Sequence, residues 1–201
     1  MELTTDEQKR WMVVGIAMVK VIAPVLRDVV KQGMTAHYKS FDTFLQPCKL
    51  NALTHDDVLS TPSLKNLKFE NINNNSQIPK KDKETYTFNV SSEVDLAKLY
   101  LPDYLAKFSE FDESLDLSAI LSLLGCSKPA PIFHSPIIRT AADTVKDEVR
   151  NKWAHFNLND WTEASFNDCF TNLEKLVKSV GIGVKEQSTL DALHEDRKSV
   201  V

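Results

Sequence analysis

Glycine is scarce in this chain, with five among 201 residues, and the hydrophobic side chains are broken at three- and four-residue intervals rather than alternating. Both facts favour helices over sheet. Cysteine is scarce as well: Cys48, Cys126 and Cys169 form an odd set without C-x-x-C spacing. They imply neither a disulfide framework nor a zinc knuckle and fit a reduced, cytoplasmic compartment, where the sequons at Asn74 and Asn89 carry no consequence. Positive charge is not in excess. A net charge of -4 and a pI near 5.7 exclude a protein that holds nucleic acid by bulk electrostatics, so any RNA contact has to be local. No apolar run is long enough for a membrane: Trp11 to Leu26 is interrupted by Lys20 and Pro24 and falls short of the roughly 18 residues a span needs. The acidic start, Met1-Glu2 through Asp6-Glu7, is no signal-peptide n-region.

What remains, 42% hydrophobic and 26% charged residues, is the composition of one globular domain with a substantial core. Thr5-Asp6-Glu7-Gln8 has the capping-box arrangement that opens a helix. Trp11, Val14, Met18, Val21, Ile22, Val25 and Val29 then recur at three and four as one buried stripe, with Pro24 expected to kink it and Gly33 to end or bend it. A second short helix is expected around Ser40 to Leu45, stopped by Pro47. Residues 50 to 90 lack a sustained helical period, and the run Asn71, Asn73, Asn74, Asn75, Ser76 leads into Pro79-Lys80-Lys81-Asp82-Lys83, which reads as a polar loop insertion. Thr85 to Val90 alternates and suits a lone strand or an extended segment. Lysines 80, 81 and 83, mixed with acids, fit a solvated loop better than an RNA arm.

Helical reading resumes at Ser92, with short segments through Tyr100 and around Pro102 to Phe108. A firmer helix covers Asp116 to Leu124, ended by Gly125 in the left-handed conformation a helix C-terminus favours. Pro129-Ala130-Pro131 is a stiff connector. Ser135-Pro136 supplies an N-cap and a first-turn proline for the next helix, which ends near His155. The last long helix is capped by Thr162, carries the stripe Phe166, Phe170, Leu173, Leu176, Val177 and Val180, and stops at Gly181 and Gly183. Trp161 covers the connection, Cys169 is a small core residue, and residues 182–201 form a polar tail or linker.

The helix from Pro136 to His155 carries the chemistry. Counted at about 100° per residue, Ile138, Ala142, Val145, Val149, Trp153 and Phe156 form a core stripe, and Arg150, Asn151 and His155 fall on the arc away from it, together with Thr144 and Asp147. Arginine offers a fixed charge and a planar donor fork for phosphate, and histidine exchanges a proton near neutral pH. The residues also have plainer uses: Arg150 pairing with Asp147 or Glu148, and His155 favoured at a helix C-terminus. Neither His37 nor His134 has a partner at catalytic or ligand spacing, surface or capping roles suit them better, and no metal-ligand set can be assembled.

Arg150-Asn151-x-x-x-His155, near the end of the penultimate long helix and followed by a last amphipathic helix, resembles the signature of HEPN domains, all-helical modules found in many RNases. The wider pattern is similar to the DAZ-interacting-zinc-finger-protein-like branch. It includes Phe111-Asp112 with the apolar run Leu115 to Leu124, Asp143-x-x-x-Asp147-x-Val149-Arg150-Asn151, and Ala164-Ser165-Phe166-Asn167. The resemblance covers roughly residues 5 to 181. It implies an all-α, HEPN-like helical bundle over residues 1–181, with a long N-terminal helix, the insertion at 50–90 and two long C-terminal helices. It also implies a homodimer through the face carrying Arg150, Asn151 and His155, acting on single-stranded RNA without metal or cofactor and without a membrane. His155 would then be general acid or base, Arg150 would stabilise phosphoryl charge and Asn151 would orient the phosphate or the histidine. In this branch the module heads longer animal signalling proteins, which implies the alternative of a noncatalytic interaction module. The acids Asp143, Asp147 and Glu148 crowd the motif, and no aromatic-and-basic surface for stacking bases is visible.

Overall fold

A computed structural model describes residues 5–45, 48–128 and 131–200. It is all-α, with no strand among the described residues. The expected stop at Pro47 and the connector residues Pro129 and Ala130 lie outside the described residues.

Helix α1 (Asp6–Ile16) starts at the expected capping box, with the Thr5 side chain accepting from the Gln8 amide. A π-helical turn over Ala17–Ile22 leads straight into α2 (Ala23–Phe44), which makes a single helical rod from Asp6 to Phe44. Neither expected interruption breaks it. Pro24 sits in the first turn of α2, where the wider π winding before it accommodates a ring that would clash with the carbonyl four residues back. Gly33 lies inside α2, and its missing side chain makes room for Phe133: a Cβ there would come within 2.4 Å of the ring. Ser40 to Phe44 therefore belongs to α2 and is no separate helix.

Residues 50–90 hold α3 (His55–Ser60) and several single 3-10 turns, and they are not a bare polar loop. Leu50, Leu53, Leu64, Leu67, Phe69, Ile72, Tyr86, Phe88 and Val90 are buried. The asparagines act as internal stitches. Asn75, wholly buried, donates through Nδ2 to the carbonyls of Phe69 and Thr87 and accepts from the Thr87 amide. Asn73, at φ 53°, donates to Thr87 and Asn89, and Asn71 donates to Lys98 and Leu101. Residues 86–90 run as an extended segment rather than a strand, with the Val90 amide bonded to the Leu50 carbonyl at 2.8 Å.

Helix α4 (Glu93–Leu99) is capped by Ser92 and packs on α2. The segment expected to be helical around Pro102 to Phe108 holds only a 3-10 turn, Asp103–Leu105. Helix α5 (Leu117–Leu124) is capped by Asp116, and its apolar residues fill the space between α2 and α6. Gly125 ends it at φ -79°, right-handed rather than left-handed. Space explains the glycine, since a Cβ would meet Asp143 Oδ1 at 2.4 Å.

The C-terminal part consists of α6 (Pro136–Thr144), a π turn (Val145–Asn151), α7 (Lys152–Ala154), α8 (Glu163–Val180) and α9 (Lys185–Lys198). Pro136 occupies the first turn of α6 as expected, whereas the Ser135 side chain makes no cap hydrogen bond. Helix α8 is capped by Thr162, buries Phe166, Phe170, Leu173, Leu176 and Val177, and ends at Gly181 with φ 61°. The stretch read as tail or linker forms α9, which packs on α8 and on the Ala17–Ile22 turn with Leu190 and Leu193 buried. His194 and Arg197 of α9 reach Glu174 at 3.4 and 3.8 Å.

Candidate functional site

The motif does not sit on regular α-helix. Val145–Asn151 winds as a π-helix, so each residue turns through less than the α-helical angle and the side chains after Val149 lag behind an ideal count. Ala142, Val145 and Val149 fill the core as the spacing predicts, and Ile138 packs partly buried beside them. Trp153 too packs partly buried against the core, whereas Phe156 does not. Trp153 leans out onto α1, where its ring stacks on Trp11 at 5.8 Å and 13°, and Phe156 is 46% exposed with its ring 4.9 Å from that of Trp11.

Arg150 is half-buried, and its Nη1 donates to Asn151 Oδ1 at 3.1 Å. Asn151 Nδ2 in turn donates to Asp147 Oδ1 at 3.4 Å. The two plain pairings anticipated for Arg150 do not form, and the link to the acid runs through the amide. His155 is the residue at which the helix ends, with φ -99° and ψ 54°, and only its backbone amide is bonded, to the Asn151 carbonyl. Its ring is exposed and joins no hydrogen bond or ion pair. Arg150 and Asn151 are thus tied together, while His155 stands off the helix end a turn further on. No side-chain hydrogen bond joins the His155 ring to the other two side chains within one chain.

Alongside lies an apolar surface that periodicity had shown only in part. Met12, Ile16 and Val19, spaced by four and three on the outer side of the first helical rod, are each about half exposed. With Trp11 and Trp153 they line a shallow groove of about 320 Å³, and Phe156 adjoins it through the Trp11 ring. Gly15 is the floor of the contact: an added Cβ would come within 2.5 Å of Trp153 Nε1. The Trp11 indole also donates to the Trp153 carbonyl at 3.0 Å, fixing the end of the motif helix against α1. Trp161 is buried as anticipated, and its carbonyl accepts from Arg10 at 3.2 Å.

The other candidates resolve plainly. His37 is a core residue rather than a surface or capping one, bonded through Nε2 to the Tyr100 hydroxyl at 2.7 Å, and burial holds its pKa below the usual histidine value. His134 is exposed, and its carbonyl rather than its ring meets Arg139. Cys169 is buried, and burial pushes its thiol up to about 11. Cys48 donates its thiol proton to Asp57, and that hydrogen bond raises its pKa. Among the described residues no three histidine, cysteine or carboxylate side chains are grouped to hold a metal ion, and no helix is long and apolar enough to cross a membrane. Comparison with protein-family models, curated proteins and solved structures gave no match.

Proposed function

We propose that this chain is a HEPN-type helical module that pairs with a second copy of itself across the face formed by Arg150, Asn151, His155 and the adjoining apolar surface. The observation that carries this reading is the half-exposed row Met12, Ile16, Val19, whose groove is also lined by Trp153 of the motif helix and adjoined by Phe156 through Trp11. A contiguous apolar strip with aromatic anchors suits a protein interface. A two-fold axis there sets the same strip against itself and brings two copies of the motif together, as an isologous interface requires. Sedimentation at tens of micromolar tests it. Dimers that dissociate in Ile16→Asp and Phe156→Asp are the expected outcome, and a monomeric wild type at high micromolar concentration overturns it.

A second reading is favoured by the unengaged ring of His155, a turn beyond an arginine with no carboxylate partner. In it the paired motifs cleave single-stranded RNA. The 2'-hydroxyl oxygen bonds to the adjacent phosphorus, the bond from phosphorus to the 5'-oxygen breaks, and the products are a 2',3'-cyclic phosphate and a 5'-hydroxyl. His155 moves the proton, and Arg150 stabilises charge on the phosphoryl oxygens. The neighbouring acids weigh against it, since Asp147 already draws on the Asn151 amide. Labelled RNA in EDTA, incubated with wild type, Arg150→Ala and His155→Ala, separates the two. Cleavage lost in both variants supports the nuclease, and uncut RNA with a wild-type dimer leaves the interaction module alone.

A further inference from the structure

We infer that the channel between α6 and α8 is a docking groove for an amphipathic helix of another protein, one that carries carboxylates along one flank of its apolar stripe. This site is distinct from the motif face. Its α6 wall is the row Ile137, Thr140, Ala141 and Thr144, the outward counterpart of the Ile138, Ala142, Val145 row that faces the core. In this wall Ala141 packs partly buried against the core and Thr144 is half-buried, while Ile137 and Thr140 are exposed.

The opposite wall is set by Asn172, Lys175, Lys178 and Ser179 of α8, and the groove encloses about 680 Å³. Each wall runs over eight residues, Ile137 to Thr144 and Asn172 to Ser179, so the channel is two helical turns, or about 10 Å, long. That length takes a helix by anchors at i, i+3 or i+4, and i+7, the spacing of helix-in-groove recognition. Ile137, 69% exposed, is the apolar contact at one end. The floor makes little polar demand, because the Thr144 hydroxyl donates to the Thr140 carbonyl and the Ser179 hydroxyl to the Leu176 carbonyl.

Charge selects the occupant. Lys175 and Lys178 are exposed, neither is in an ion pair, and no carboxylate lines the groove. Lys175 also borders a polar recess with Glu148 and Asp168, so Lys178 is the less compensated of the two. In a chain of net charge -4, this local positive wall over an apolar floor suits carboxylates beside leucines. An acidic flank meets a chain that is net negative as a whole, which favours this lysine-lined groove over other sites.

The test uses the full chain and two stapled helical peptides, each with leucines at i, i+3 and i+7. One is flanked by glutamates and its counterpart by lysines. Fluorescence anisotropy should show the glutamate peptide binding the wild type, with amide and methyl NMR shifts centred on Ile137 and Ala141. Binding should fall roughly tenfold or more in Lys175→Glu/Lys178→Glu, and that variant should instead take the lysine peptide. Lys178→Glu alone should cost more than Lys175→Glu alone. Ile137→Asp, on an exposed side chain and checked by an unchanged melting temperature, should abolish binding. The inference is overturned if neither peptide binds, or if both bind wild type equally. It is overturned too if Ile137→Asp binds normally, if single-stranded RNA displaces the peptide, or if diluting the protein alone moves the same resonances, which would assign the groove to a second copy of this chain.

Discussion

Trp11 and Trp153 lie face to face, 5.8 Å between ring centroids and 13° from parallel, although 142 residues separate them in sequence. The stack fastens the end of the motif helix to the start of the chain. Gly15 makes it possible by leaving the Trp153 ring its place.

Replacing Gly15 by alanine should therefore lower stability, against the helix propensity of the change. Alanine in mid-helix gains up to about 1 kcal/mol over glycine, whereas forcing the indole aside costs about 1–3 kcal/mol. The net expectation is a loss of about 1 kcal/mol in urea unfolding, with a changed tryptophan emission. A stabilised Gly15→Ala would mean that Trp153 is free to move.

Asn75 should prove one of the most sensitive polar positions. Three hydrogen bonds converge on its buried side chain, and alanine would remove all three, leaving the Thr87 amide without its partner while the Thr87 carbonyl keeps Asn73. A loss of about 2–4 kcal/mol follows from roughly 1 kcal/mol or more per bond. Hydrogen exchange at Thr87 should accelerate in the variant, while exchange in α8 rises only as far as global unfolding requires.

Stability should fall as the medium is acidified below about pH 6.5, the ordinary histidine value, because of His37. Burial, with the charge of His134 secondary, lowers its pKa in the folded state. Between the folded and unfolded values the unfolded chain binds the additional proton, so the contribution is full above the unfolded pKa and is lost as pH falls toward the folded one. Urea midpoints at pH 7.5 and pH 5.5 should differ less in His37→Gln than in the wild type.

Thiol labelling should be ordered by burial. Cys169, its thiol raised to about 11, should resist a disulfide reagent at pH 8 until the chain unfolds. Cys48, half-buried beside Asp57, should react first. Rapid modification of Cys169 in the folded protein would contradict its packing in α8.

Much of this architecture was legible in local signals. The capping box at Thr5, the caps at Ser92, Asp116 and Thr162, Pro136 in a first turn and Gly181 past a last one each announce themselves within four residues, because a cap is a local hydrogen-bonding problem. The misread positions depend on distant partners. Gly33 stays helical because Phe133 fills its notch, and the asparagine run holds together a segment whose acceptors lie up to 30 residues away. Phe156 left the core stripe because a uniform helical count carries no warning of a π turn or of the helix ending at His155. The row Met12, Ile16, Val19 was visible at helical spacing but was hidden by the stronger stripe beside it.

The π turn at Val145–Asn151 separates how the motif helix is seated from where its motif points. Ala142 anchors the segment before it and Val145 its first residue, whereas Arg150 and Asn151 take their bearing from its winding. Gaining or losing one codon there would rotate the downstream side chains by about 100° around the axis while the anchored turns stay put. A one-residue insertion or deletion there would therefore keep the same packed body and aim the same three residues at quite different neighbours.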